Sequence, residues 1–141
     1  MTDAQSRHIA SIALLSLFIG LAGGSVDSDS GAKKIANEAA AFTTTADQLY
    51  SEYDANQVSA DTKYKGKIVV ITGPISDIGK DVTDTAYVVI GGTGLLNGAQ
   101  CMFPKGQESL LGSLSKGQQV SAKGKVSGKI GNVLLRNCTV Q

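Results

Sequence analysis

Residues 67–75 read Lys-Ile-Val-Val-Ile-Thr-Gly-Pro-Ile. The run of β-branched residues from Ile68 to Thr72 is the vocabulary of a strand. Gly73-Pro74 predicts a bulge or bend inside it, because proline has no N–H to give to a ladder and glycine tolerates the dihedrals a bulge needs. Working outward, Ala86–Ile90 (AYVVI) is a second strand that ends in Gly91-Gly92-Thr93-Gly94, and Ala99–Phe103 (AQCMF) is a third. Val120–Val126 alternates Val120, Ala122, Gly124 and Val126 with Ser121, Lys123 and Lys125, which predicts one buried and one wet face. Asn132–Val140 follows a turn at Gly128–Gly131 and makes a fifth strand. Between the third and fourth, Glu108–Leu114 (ESLLGSL) reads as a short helix with Leu110, Leu111 and Leu114 on one side. Three strands, a helix and two strands is the order of an OB-fold, a mainly β, five-stranded Greek-key barrel. An SH3-like barrel is the alternative, but it does not predict the helix between strands three and four.

The chain has 141 residues and a mass of 14.5 kDa, enough for one such domain. Ahead of the barrel, Thr45-Ala46-Asp47-Gln48 has the spacing of a capping box. Leu49 and Tyr53 then share one face of a helix over about 46–55, beside Tyr50. Ala32–Phe42 is Ala-rich and is a weaker helical candidate. Residues 25–34 (SVDSDSGAKK) have the composition of a tether. Residues 9–22 (IASIALLSLFIGLA) are apolar, and 14 residues at 1.5 Å rise reach only about 21 Å of a bilayer core of about 30 Å. Arg7 ahead of this stretch, and Ala22 and Gly24 at its end, fit a secretory signal over residues 1–24. An uncleaved anchor through residues 9–22 or a buried helix are the other readings. The expected organisation is an export segment at 1–24, a polar linker at 25–34, a helical segment at 35–62 and the barrel at 63–141. This organisation predicts an exported protein, outside the cytoplasm in a periplasm or cell envelope.

Lys and Arg number 13 against 12 Asp and Glu, a net charge of +1 that is too small for a dedicated polyanion binder. That balance hides a division. Residues 27–62 hold seven acids and two bases, whereas residues 63–141 hold ten bases and four acids. The division reads either as an acidic segment docked on a basic barrel with ordinary solvated faces, or as a basic face for an anionic ligand. Nine of the ten bases are lysines, which favours the first.

Cys101 and Cys138 fall in strands three and five, which lie side by side in an OB barrel. An exported chain with an even cysteine count predicts a disulfide between them. Closing the 37-residue separation would stabilise the domain by about 3–4 kcal/mol. Two separate buried thiols are the alternative.

Several spaced motifs resemble a known family. They are Leu49–Asn56 (LYSEYDAN), Ala60–Lys67 (ADTKYKGK), Gly73-Pro74-Ile75, Gln100–Phe103 (QCMF), Gly117–Val120 (GQQV), Gly124-Lys125-Val126 and Asn137-Cys138. Together, over residues 45–141, they resemble the tRNA_anti-like family of bacterial OB-fold proteins, many of them exported proteins or lipoproteins. The resemblance implies an OB barrel preceded by a helix and brings no catalytic residues. The Cys that carries lipid in lipoprotein signals is missing here, since Leu21-Ala22-Gly23 is followed by Gly24.

No catalytic constellation emerges. The one histidine, His8, lies in the export segment, and two cysteines without a CxxC do not make a zinc site. Asp77, Asp81 and Asp84 read as turn chemistry, lacking the glycine and terminal Glu of a calcium loop. Asn56 and Asp61 read as a helix stop and a turn cap. Gly91–Gly94 lacks the Gly-Lys-Ser/Thr of a phosphate cradle, but the Leu95-Leu96 tip beyond it is a plausible partner contact. Oligonucleotide binding by this fold needs a basic groove and aromatic platforms on strands two and three. Phe103 reads as core, which leaves Tyr87 as the open aromatic. Lys123 and Lys125 on the wet face, with Lys65, Lys67 and Lys129 nearby, are the candidate cations. The expected function is a non-enzymatic, disulfide-stabilised binding module without metal or cofactor, with an envelope protein, glycan or polymer as partner. A single-stranded nucleic-acid binder is the alternative. Under either reading the candidate ligand residues of the protein are Tyr87, Lys67, Lys123, Lys125, Leu95 and Leu96.

Overall fold

The computed structural model describes residues 29–141. The elements in chain order are α1 (Asp29–Asn37), β1 (Phe42–Thr45), α2 (Ala46–Ala55), α3 (Gln57–Tyr64), β2 (Ile68–Lys80), β3 (Ala86–Ile90), β4 (Ala99–Met102), α4 (Glu108–Gly112), β5 (Gln119–Ile130) and β6 (Asn132–Val140).

The KIVVITGPI stretch is the hinge of the barrel. Its first half, Ile68–Pro74, pairs antiparallel with β5, from Ile68 opposite Lys125 to Pro74 opposite Gln119. Its second half, beyond the bend, pairs with β3, and a bulge between Ile75 and Asp77 shifts the register. One strand thereby serves two barrel partners, as well as β1, and it runs to Lys80, five residues past the predicted end. β3 pairs with β4, β4 with β6 in parallel, and β6 with β5, so the circuit closes. This is the OB-fold barrel expected from the strand order, with strands three and five adjacent.

The helix over 46–55 forms as predicted. Thr45 Oγ1 accepts from the Gln48 amide at 3.1 Å, but the Gln48 side chain reaches forward to Glu52 instead of back to the cap, so half of the capping box is made. Leu49 and Tyr53 are fully buried and, with Ala60 and Tyr64 of α3, join the barrel residues in one core. Phe42 meets Tyr64 edge-on at 4.9 Å, and Tyr53 stacks on Tyr64 at 6.3 Å.

Three local expectations are corrected. β1, a parallel partner of β2 from Phe42↔Val69 to Thr45↔Thr72, lies at the end of a stretch read as helical. Its three threonines are β-branched, and the ready edge of β2 decides the outcome. α3 places Asp61 inside a helix and not at a turn, within the segment expected to be helical to residue 62. Asn56 ends α2 and its side chain accepts from the Ser59 amide at 3.0 Å to start α3. In α4, Leu111 is buried and Leu114 packs beside it, but Leu110 is exposed.

α1 begins inside the segment read as a linker and packs on β5 and β6, burying Ala32 and Ile35. The predicted export segment at 1–24 lies outside the described residues. Among the described residues, no helix is long and apolar enough to cross a membrane.

Candidate functional site

The barrel cations divide into those already engaged and those left open. Lys63 pairs with Glu52 at 3.0 Å, Lys80 and Lys105 pair with Asp84 at 3.2 and 3.5 Å, and Lys116 pairs with Asp77 at 3.3 Å. Lys65, Lys67, Lys125, Lys129 and Arg136 form no ion pair with a carboxylate among the described residues, although Arg136 acts on Asp81 from farther off. The fold gathers these five. Lys125 and Arg136 face each other across the β5–β6 ladder. Gly66, between Lys65 and Lys67, donates its N–H to the Val126 carbonyl, the residue after Lys125.

A groove of 290 Å³ runs between α3 and the β5–β6 hairpin. Lys65, Lys129 and Arg136 line it, together with Gln57, Asp61 and Ile130. Asp61, its acid, accepts from the buried Tyr53 hydroxyl at 2.9 Å; burial and that carboxylate push the Tyr53 hydroxyl far above its usual range. The bulge between Val126 and Gly128 shifts the register so that Lys129 lies opposite Val133. Lys129 Nζ then sits 5.3 Å from the centre of the Tyr50 ring. Three cations beside one occupied carboxylate leave the groove positive, suited to an anionic ligand.

The predicted site residues do not converge. Lys67 and Lys125 are exposed as expected. Lys123 is not on a wet face: it is 7% exposed, and its ammonium donates to the Ala36 and Glu38 carbonyls at the end of α1. Strand alternation gave its direction correctly, but α1 covers that direction. Tyr87 is half-buried and its hydroxyl donates to Asp77 Oδ2 at 3.0 Å; burial and Asp77 raise its pKa. Gly79 leaves the room this ring occupies, since a Cβ there would lie 2.9 Å from the hydroxyl oxygen. Leu95 and Leu96 are exposed in the β3–β4 loop, remote in sequence from these cations.

Phe103 is core, as its alternation phase predicts. Asp81 accepts from the Thr83 and Thr85 amides at 2.8 and 3.0 Å, so it closes the β2–β3 turn. Among the described residues, no cluster of three His, Cys, Asp or Glu is placed to hold a metal ion.

Cys101 and Cys138 are free thiols here, both fully buried and neighbours in the core. Burial, then Cys101 beside it, raises the Cys138 thiol well above its ordinary value, which suits a structural sulfur and not a nucleophile. Gly124 is the space that admits it: a Cβ there would stand 2.6 Å from Cys138 Sγ.

Two residues escaped the sequence reading. Arg136 carries no positional signal in the sequence, because its place opposite Lys125 depends on strand pairing. Asn132 is a buried hub: its side chain accepts from the Gly98 amide at 3.0 Å and donates to the Leu95 carbonyl at 2.7 Å and to Gln100 Oε1 at 3.2 Å. Nothing in the sequence marks it apart from the turn at Gly131.

A solved structure from Klebsiella pneumoniae subsp. pneumoniae MGH 78578, described as a candidate nucleic acid-binding lipoprotein, has the same fold. It is 21% identical, with a TM-score of 0.57 over 83% of this chain and 99% of its own. The OBody NL8, solved bound to hen egg-white lysozyme, aligns at 19% identity over 52% of this chain and 93% of its own, with a TM-score of 0.38. No curated protein matches the chain. The tRNA_anti-like family model matches residues 1–139, and the chain belongs to that family.

Proposed function

We propose that the protein is a non-enzymatic OB-fold binding module of the bacterial cell envelope that holds an extended anionic ligand along the β5–β6 hairpin. The observation that carries this reading is the groove lined by Lys65, Lys129 and Arg136, with Lys125 opposite Arg136 on the β5–β6 ladder and none of the four in an ion pair with a carboxylate among the described residues. Residues 1–24 act as the export segment. The description of the Klebsiella neighbour as a lipoprotein supports an envelope location. In that oxidising setting Cys101 and Cys138, already adjacent, form a disulfide across β4 and β6.

Single-stranded nucleic acid is the second reading, favoured by the nucleic-acid binding in that neighbour's description. Aromatic platforms weigh against it as a tight binder. Tyr87 is tied to Asp77 and Phe103 is buried, so electrostatics would carry most of the affinity.

The test is titration of the full chain with a fluorescent single-stranded oligonucleotide and with an anionic polysaccharide, each at two salt concentrations. Binding that weakens steeply with salt supports the anionic groove, and the tighter of the two probes names the class. Absence of binding to both at low salt overturns the reading.

A further inference from the structure

Large apolar side chains left in water are few on this barrel, and three of them share one end. Leu95 and Leu96 are 55% and 60% exposed in the β3–β4 loop, and Ile130 is 86% exposed beside the β5–β6 turn. Side-chain contacts tie these loops together. Asn132, paired with Ile130 across Gly131, donates to the Leu95 carbonyl at 2.7 Å. Tyr50 donates to Asn97 Oδ1 at 3.1 Å while Lys129 lies over the Tyr50 ring. The three aliphatic tips therefore project from a braced platform.

Charge surrounds the tips asymmetrically. Lys129 stands at this end, and Lys65 and Arg136 line the adjoining groove. Of the acids nearby, Asp47 accepts from the Gly92 amide at 3.0 Å and Asp61 accepts from Tyr53, while Arg136, farther along β6, acts on Asp81 of the β2–β3 turn. We propose that this end of the barrel docks on an anionic lipid surface, with Leu95, Leu96 and Ile130 entering the headgroup–acyl boundary and Lys129 and Lys65 meeting the phosphates.

The chemistry favours lipid over the other polyanions. Aliphatic side chains flanked by lysine are the composition that partitions into a bilayer interface, where the apolar part is buried and the ammonium stays with the headgroups. Nucleic-acid bases stack on aromatic faces, and the tips offer none. Docking would orient the barrel with its β2–β3 loop away from the membrane. β3 separates the two loops by five residues, about 17 Å at strand rise.

The chain contains no tryptophan, so a single introduced one reports its own surroundings. Leu96→Trp and, at the far end, Val82→Trp would each be made in the full chain; Val82 is fully exposed. Each is mixed with phosphatidylglycerol-containing vesicles, with pure phosphatidylcholine vesicles, and with a single-stranded oligonucleotide, using brominated lipid as quencher. The expected result is a blue shift and quenching at Leu96→Trp several-fold greater than at Val82→Trp, in anionic vesicles, and reduced by Lys129→Glu. The comparison reads orientation even where residues 9–22 bring the chain to the vesicle. Equal quenching of both reporters, no quenching of either, or an equal response to neutral vesicles overturns the proposal. A Leu96→Trp shift with oligonucleotide in place of vesicles also overturns it and assigns this end to the anionic groove.

Discussion

Lys123 Nζ donates to the Ala36 carbonyl at 3.2 Å, 87 positions earlier in the chain, and also to the Glu38 carbonyl. A helix ends with carbonyls that lack intrahelical partners, and a cation there satisfies them and complements the helix dipole. The contact joins α1 to β5 and explains how a lysine comes to be buried on a barrel.

Replacing this anchor with an apolar side chain of similar length should release α1 while leaving the barrel intact. Lys123→Met is expected to cost about 1–2 kcal/mol in denaturant midpoint. Backbone amide exchange in residues 31–38 should rise, while exchange in β2–β6 stays unchanged. Faster exchange throughout the barrel would contradict a local role.

Gly124 and Cys138 predict a coupled pair of substitutions. Gly124→Ala places a methyl group 2.6 Å from the sulfur and 3.2 Å from the Arg136 carbonyl oxygen. It is expected to destabilise by about 1–3 kcal/mol through overpacking. Adding Cys138→Ala removes the sulfur and should recover part of that loss. A double-mutant cycle of denaturation midpoints measures the coupling, and additivity would show that the clash is relieved elsewhere.

Oxidation of the two adjacent thiols is tested by alkylation in denaturant, with and without reductant, of protein isolated from its own cells. Labelling only after reduction is expected. The oxidised form should then be about 3–4 kcal/mol more stable than the reduced form. Full labelling without reductant would show that the cysteines serve as separate packed thiols.

Glu52 predicts a limb of the pH–stability profile. Burial alone would raise its pKa, but hydrogen bonds from Tyr64 at 2.7 Å, Lys63 at 3.0 Å and Gln48 at 3.3 Å outweigh that and hold it below the ordinary 4.5. A carboxyl depressed on folding stabilises fully above its unfolded pKa and loses that contribution as pH falls through its folded one. Melting temperature should therefore fall as pH drops below 4.5. Glu52→Gln should melt lower than wild type near neutrality, with the gap closing in acid.

Arg136 and Lys125, opposed on the β5–β6 ladder, should act on affinity through charge alone. If the ligand is a single strand, removing either is expected to make the slope of log affinity against log salt shallower by about 0.7. Lys80→Ala, at a cation already paired with Asp84, should leave the slope unchanged.

The barrel was legible because its signals are local: β-branched runs, glycine-rich turns and the Gly73-Pro74 bend each act within a few residues. The same locality misled at Lys123 and at Phe42–Thr45. Alternation reports which way a side chain points but not what lies over it. A phenylalanine and three threonines become a strand only when an edge such as β2 is present to pair with them.

From the chain alone came the strand order, the capped helix over 46–55, the adjacency of Cys101 and Cys138 and the surplus of base beyond residue 63. Folding alone chose which of those bases stay free of carboxylates, placed Arg136 opposite Lys125, and brought Leu95, Leu96 and Ile130 to one end through Asn132. The reason is one of range. Backbone preference and hydrophobic period are written in neighbouring residues, whereas ion pairing and surface clustering depend on distances set only once β6 lies between β4 and β5.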